Sequence, residues 1–338
     1  MRLSIALLFL LTAFISFKTA VGDIEFTIPP GWPEPVYNIA INPVTTAGFQ
    51  LGRKLFYDPL LSRDTTISCA SCHLQATGFA HVDHNLSHGI TGRVGSRNAP
   101  AIINMAWSRS FMWDGGVNHL DMQPLSPIGS PEEMGESMEN VVRKLNADVK
   151  YRNLFYRAFA DSVVTGQKTL LALSQFVLML NSYNSKYDKY LRKEPGGTFS
   201  DQELNGLALF RQHCATCHTE PLFTNGDFAS NALPADTALN DIGRMRITGN
   251  PADSLRFKVP TLRNIQFTYP YMHDGRFKKL SEVLKHYMEG IQQSPTLDKR
   301  LQTPIVLSPN EKIDLVAFLL TLTDREFLFD QRFGFPRE

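Results

Sequence analysis

All four cysteines of the 338-residue chain fall in two copies of one short unit, Cys69-Ala70-Ser71-Cys72-His73 and Cys214-Ala215-Thr216-Cys217-His218. Cys-x-x-Cys-His is what c-type haem attachment requires. The two thiols add to the porphyrin vinyl groups as thioethers, and the adjacent imidazole ligates the iron. A lone Cys-x-x-Cys could instead be a redox dithiol or half a zinc site. Neither needs the histidine, and the pairs lie too far apart for a zinc finger, which leaves only a distant tetrathiolate. The reading is therefore two heme c groups, with His73 and His218 as proximal ligands, and a redox protein.

The start of the chain agrees with that chemistry. Met1-Arg2, the apolar run Leu3–Phe17 and the small residues Ala20 and Gly22 read as a signal peptide over 1–22. C-type haem is joined to apoprotein outside the cytoplasm, so the expected location is periplasmic. Basic and acidic residues nearly balance, 34 against 33, which gives no electrostatic footprint for nucleic acid or an anionic membrane. Leu170–Leu180 is too short and too polar, with Ser174 and Gln175, to be a membrane span.

Behind the motifs the chain repeats itself. Asn98-Ala99-Pro100-Ala101-Ile102-Ile103-Asn104 parallels Lys258-Val259-Pro260-Thr261-Leu262-Arg263-Asn264. Fourteen residues after each proline comes Asp-Gly, at Asp114-Gly115 and Asp274-Gly275, followed by Leu120 and Leu280 at matching positions. Gly52-Arg53-Lys54-Leu55-Phe56 parallels Gly206-Leu207-Ala208-Leu209-Phe210. Echoes in one order imply a duplication: an all-α chain of two tandem haem domains, 23–192 and 193–338, joined at Lys193–Gly197. In this register Trp113 takes the slot of His273, and Gln123 that of Val283. Apolar spacing predicts helices over Ser137–Phe159 and from Leu173 through Phe176, Leu180, Tyr183 and Tyr187 to Tyr190. The box Ser308-Pro309-Asn310-Glu311 opens another helix, with Ile313, Val316 and Leu320 inward. Strand signals are few.

The ordered set of motifs resembles the bacterial di-haem cytochrome c peroxidase family, which includes the enzyme that matures methylamine dehydrogenase. The resemblance rests on both attachment sites, Arg97-Asn98-Ala99-Pro100, Trp113-Asp114-Gly115, Gln123 before Pro131-Glu132-Glu133-Met134, and Pro270-Tyr271-Met272-His273-Asp274-Gly275. It implies two class I cytochrome c-like domains, a peroxidatic first haem and an electron-accepting second. It implies hydrogen peroxide as substrate, a small soluble cytochrome c or cupredoxin as donor, and the possible homodimer found among members. It makes Glu133 the catalytic acid–base, Gln123 its partner and Trp113 the residue between the haems. Asn98, with the carbonyls of Thr268 and Pro270, matches the calcium ligands, an oxygen-only set that suits calcium.

Two axial positions depart from the common pattern. Where many members carry a mobile histidine on the loop before the Asn-Ala-Pro turn, the ungapped register gives Ile90, with His81, His84 and His88 upstream. His88 is read as a solvated loop residue, which leaves the first haem open. On the second haem, Tyr287 stands where most peroxidases have methionine, as in the maturation enzyme, and Met272 and Met288 are its rivals. Alternatives to a peroxidase are a maturation-type oxidase acting on a protein side chain, and a non-enzymatic di-haem carrier.

Overall fold

The computed structural model describes residues 24–336, so the signal-peptide expectation at 1–22 lies outside the described residues. The chain is helical with few strands. In order come α1 (Thr46–Tyr57), α2 (Cys69–Cys72), α3 (Leu125–Gly129), α4 (Met138–Ala147), α5 (Val149–Phe159), α6 (Gly166–Leu178), α7 (Lys186–Arg192), α8 (Asp201–His213), α9 (Met245–Thr248), α10 (Leu280–Lys285), α11 (Pro309–Leu320) and α12 (Arg325–Leu328). Two-residue strands β1 (Phe228–Ala229) and β2 (Phe257–Lys258) pair antiparallel.

Two helix pairs carry the frame, and they are built alike. α1 crosses α6 at Gly52, where a Cβ would lie 1.9 Å from the Ala172 carbonyl oxygen and 3.0 Å from Phe176 Cβ. α8 crosses α11 at Gly206, where it would lie 2.0 Å from the Asp314 carbonyl oxygen and 2.7 Å from Phe318 Cβ. Each glycine thus lets two backbones touch. Phe56, Phe79 and Phe176 pack around the first crossing, and Phe210, Phe223 and Phe318 around the second. These groups centre two separate apolar cores.

The loops repeat as faithfully as the helices. Asn104 and Asn264 both adopt left-handed backbone, φ 56° and 59°. Their side-chain oxygens accept from Ser182 N (2.9 Å) and Asp324 N (2.8 Å) just beyond α6 and α11. The halves also bond each other reciprocally. Asn98 N donates to the His273 carbonyl and Lys258 N to the Trp113 carbonyl, each at 2.7 Å. Each half thus lends its Asn/Lys position to the other half's Asp-Gly turn. Arg97 adds charge to the seam, with Nη1 2.6 Å from Asp114 and Nε 2.6 Å from Asp241. Beyond α11 the chain returns to the first half, burying Phe327, Leu328 and Phe333 in its core. Gln75 Nε2 donates to the Asp330 carbonyl at 2.6 Å and Tyr57 Oη to that of Phe333 at 2.8 Å.

Three helix expectations need correction. The run from Leu173 to Tyr190 is two helices, because Leu180–Asn184 gives its backbone groups to Asn104 and Asp324 instead of to a further turn. α7 then packs Tyr187 in the second core, and Asp188 pairs with fully buried Arg263 at 2.8 Å. Ser137–Phe159 breaks at Asp148, whose carboxylate caps α5 by accepting from Lys150 N at 2.7 Å. In α11 the box at Ser308 and Glu311 forms. However, Leu315, Phe318 and Leu319 face inward, and Ile313 and Leu320 are exposed, since contact with α8 sets the face.

Candidate functional site

The two attachment motifs open on one continuous cavity of about 950 Å³, near the upper end of the roughly 300–1,000 Å³ of small-molecule pockets. Both histidines are prepared as neutral ligands. His73 Nδ1 lies 2.7 Å from the Phe79 carbonyl. His218 Nδ1 lies 3.2 Å from the Phe223 carbonyl and 3.1 Å from that of Pro260. Phe79 and Phe223 hold left-handed backbone, φ 58° and 55°, a costly conformation for bulky residues, and it is their carbonyls that meet the imidazoles. A carbonyl at Nδ1 fixes the tautomer and leaves Nε2 free to ligate. Burial pulls the pKa of each histidine down to about 4, so neither carries charge near neutrality.

The four thiols form no disulfide. Burial pushes Cys69 and Cys214 up to about 12, so they stay protonated rather than act as thiolates. Among the described residues no group of three or more His, Cys, Asp or Glu side chains could hold a metal ion, which removes the distant tetrathiolate. Paired thiols beside an imidazole with a free Nε2, twice over and on one apolar-walled cavity, fit two covalently attached haems c.

On the first motif's side, Glu133 lines the cavity. Burial first, then the neighbouring Glu132, raises its carboxyl pKa above the ordinary range. Its charge is felt at both Cys69 and Cys72. The loop is held by Ile90 N donating to the Glu133 carbonyl at 2.8 Å. Gly89 permits this approach, since a Cβ there would lie 2.0 Å from the Glu132 carbonyl oxygen. Gln123 shares the wall, its Nε2 3.8 Å from Met112 Sδ. A carboxyl with a raised pKa can donate and accept protons, and a carboxamide on the same cavity wall can orient a ligand.

Trp113 lines the same cavity and is buried, its Nε1 donating to the Asn98 carbonyl at 2.9 Å. Its counterpart His273 stacks on Phe257 with ring centroids 3.7 Å apart. Asn98, Thr268 and Pro270 also line the cavity. The Asn98 amide groups are engaged with Asn85 and His273, and its side-chain oxygen accepts no hydrogen bond among the described residues.

The axial candidates separate. Tyr287 lines the cavity on a single π turn, His286–Gly290, a feature frequent at functional sites. Burial pushes it up to about 12, with smaller pushes from Cys217 and Cys214. Met272 accepts from Asn231 Nδ2 at 3.4 Å on Sδ, much as Met112 meets Gln123. Both methionines have left-handed backbone and line the cavity, so Met272 shares the wall with Tyr287. Met288 packs against the second core and is absent from the cavity wall. His88 is half-buried and lines the cavity, with its carbonyl 3.6 Å from Cys72 Sγ and its ring 4.2 Å from that of His84. It is therefore no freely solvated loop side chain. Ile90 is fully buried away from the cavity. Sequence reasoning missed Asp241 and Asn231, for which it held no signal. It also missed Lys258 as a cavity residue, which the register with Asn98 could have flagged.

The sequence profile described as di-haem cytochrome c peroxidase matches residues 46–196. The methylamine utilization protein MauG of Methylorubrum extorquens is 36% identical over 301 residues, covering 86% of this chain and 82% of that protein. Cytochrome c551 peroxidase of Nitrosomonas europaea is 35% identical over 295 residues, covering 86% and 84%. Among solved structures, a MauG-like protein associated with microbial copper homeostasis superposes with a TM-score of 0.82 at 33% identity, covering 93% of this chain and 99% of that one.

Proposed function

The chain belongs to the di-haem cytochrome c peroxidase family, and from that premise we propose a periplasmic enzyme that reduces hydrogen peroxide to water with electrons from a small soluble cytochrome c or a cupredoxin. In this reading 23–192 and 193–338 are tandem cytochrome c-like domains with one heme c each, tethered at Cys69 and Cys72 and at Cys214 and Cys217. When bound, the haems supply the redox iron at which the peroxide bond is cleaved and through which electrons arrive. The chain itself manages protons and access. Glu133 takes the proton from the inner peroxide oxygen and returns it to the outer one. Gln123 holds the oxidant beside it. Two electrons and two further protons complete two waters. Trp113, in the wall shared by both motifs, shortens the electron path between them. Tyr287, on the cavity wall at the second motif, would help to hold the second haem, and its phenol would favour oxidised iron there. Asn98 with the Thr268 and Pro270 carbonyls would hold calcium, and chelation is expected to lower turnover and alter the haem spectra.

The observation that carries this reading is Glu133, a carboxyl with a raised pKa on the cavity wall at the first motif. A second reading, oxidation of a protein side chain, draws on Tyr287 at the second motif and on the likeness to MauG. Steady-state turnover of peroxide with reduced cytochrome c decides between them. Rapid turnover supports the peroxidase. Negligible turnover with stoichiometric oxidation of a protein substrate supports maturation. If neither haem binds cyanide, the protein is reduced to a carrier.

A further inference from the structure

Among the cations on the cavity wall, Arg97 is neutralised by Asp114 and Asp241 and Arg300 by Asp298, while Arg109 and Arg246 stand exposed to solvent. Lys258 is different. It lines the cavity, and among the described residues no carboxylate pairs with it. Its Nζ donates to the Ser110 carbonyl at 3.0 Å and stands 6.0 Å from the centre of the Phe111 ring. One of three ammonium donors is thereby used and two remain for the cavity. The position is fixed from the backbone, since Lys258 N is tied to the Trp113 carbonyl at 2.7 Å and the residue sits in β2 opposite Phe228. Burial pulls its pKa down to about 8, so at neutral pH it is charged, on a side chain that is half-buried.

A charge withdrawn in part from water and left without a partner is costly, and native proteins tend to pair such charges. The protein places no anion there, so the anion must come with what fills the cavity. We propose that Lys258 anchors a carboxylate of one of the two prosthetic groups, resting on the reading that heme c groups with propionate side chains occupy this space. In the first half the same register position carries Asn98, a neutral carboxamide. The duplication therefore delivers one positive charge where the sister position delivers none, reaching from the second half onto the Ser110–Phe111 segment of the first. A fixed cation beside a haem favours its reduced form, so Lys258 biases the two irons unequally.

The test is a spectroelectrochemical titration of holoprotein with Lys258→Met, Lys258→Gln and Lys258→Arg. Gln keeps a donor for Ser110 without charge, and serves if Met disturbs loading. The midpoint potential of one haem is expected to fall by at least a tenfold change in its redox equilibrium, about 59 mV for one electron, in Met and Gln. The other haem should stay unchanged, and Arg should restore the wild-type value. Unaltered potentials in a fully loaded Gln variant overturn the assignment while leaving the di-haem reading intact. A wild-type potential that moves with added inorganic phosphate also overturns it, because a soluble anion would then be the partner. A wild-type protein without haem absorption sinks both.

Discussion

The first and second halves present one frame with two sets of side chains. Where backbones touch or carbonyls must meet an imidazole, the halves agree: Gly52 with Gly206, Phe79 with Phe223, Asn104 with Asn264. They differ at three matched positions on the cavity wall: Trp113 against His273, Asn98 against Lys258, Gln123 against Val283. A methyl at either crossing would strike a backbone carbonyl, while these three cavity positions carry no such constraint and are free to specialise. The duplication therefore fixes where two prosthetic groups sit, and the unmatched side chains decide how each behaves.

Removing the acid–base group should break the asymmetry most severely. Glu133→Gln keeps size and polarity but loses the proton, and turnover should fall by about 10²- to 10⁴-fold, the usual worth of general acid–base catalysis. Haem content by pyridine haemochrome should stay at two per chain. Burial and Glu132 raise this carboxyl, so a reaction needing the ionised form weakens as pH drops through a value above the ordinary carboxylate pKa of about 4.3. That acid limb should vanish in the variant. Retained turnover would leave Glu133 a loop residue like Glu132.

A smaller effect should be confined to the other half. Tyr287→Met exchanges a phenol for a thioether, which favours reduced iron. The second haem's potential should rise by at least tenfold in redox equilibrium, about 59 mV, with the first haem's unmoved. Equal potentials before and after would return the sixth position to another residue.

The frame itself can be tested by symmetric damage. Gly52→Ala and Gly206→Ala would each drive a methyl to about 2 Å from a carbonyl oxygen. Each should cost at least the roughly 1–3 kcal/mol of overpacking, read as a lower midpoint of chemical denaturation. If one is tolerated, the crossings are not equivalent.

Much of this frame was legible from the chain. Spacing between motifs survives duplication, and the Asp-Gly turns and glycine crossings lie within short windows. The break after α6 was not legible, because Leu180, Tyr183 and Tyr187 keep helical spacing while the backbone between them is captured by Asn104 and by Asp324, 142 residues beyond Ser182. The Arg97–Asp241 pair spans 144 residues, and the return of Phe333 to the first core spans still more. His88 read as a loop histidine because nothing local to it shows that the Cys72 thiol approaches its carbonyl. Local pattern reveals what local geometry decides. Contacts chosen by the closed fold leave no trace in a window.

The finest distinction concerns Trp113. Trp113→Phe keeps an aromatic ring in the seam but loses the bond from Nε1 to the Asn98 carbonyl, worth about 1 kcal/mol. If the indole only fills space, stability should drop by that amount and reduction of the first haem through the second should proceed at its former rate. If it carries electrons, rapid-mixing kinetics should show that reduction slowed beyond what the stability loss explains. His273→Phe is the control in the sister slot. It removes an imidazole stacked on Phe257 but no indole, so the rate should hold. A slowing shared equally by both variants would trace to a loosened seam, because each parent residue is bonded through its carbonyl to the opposite half.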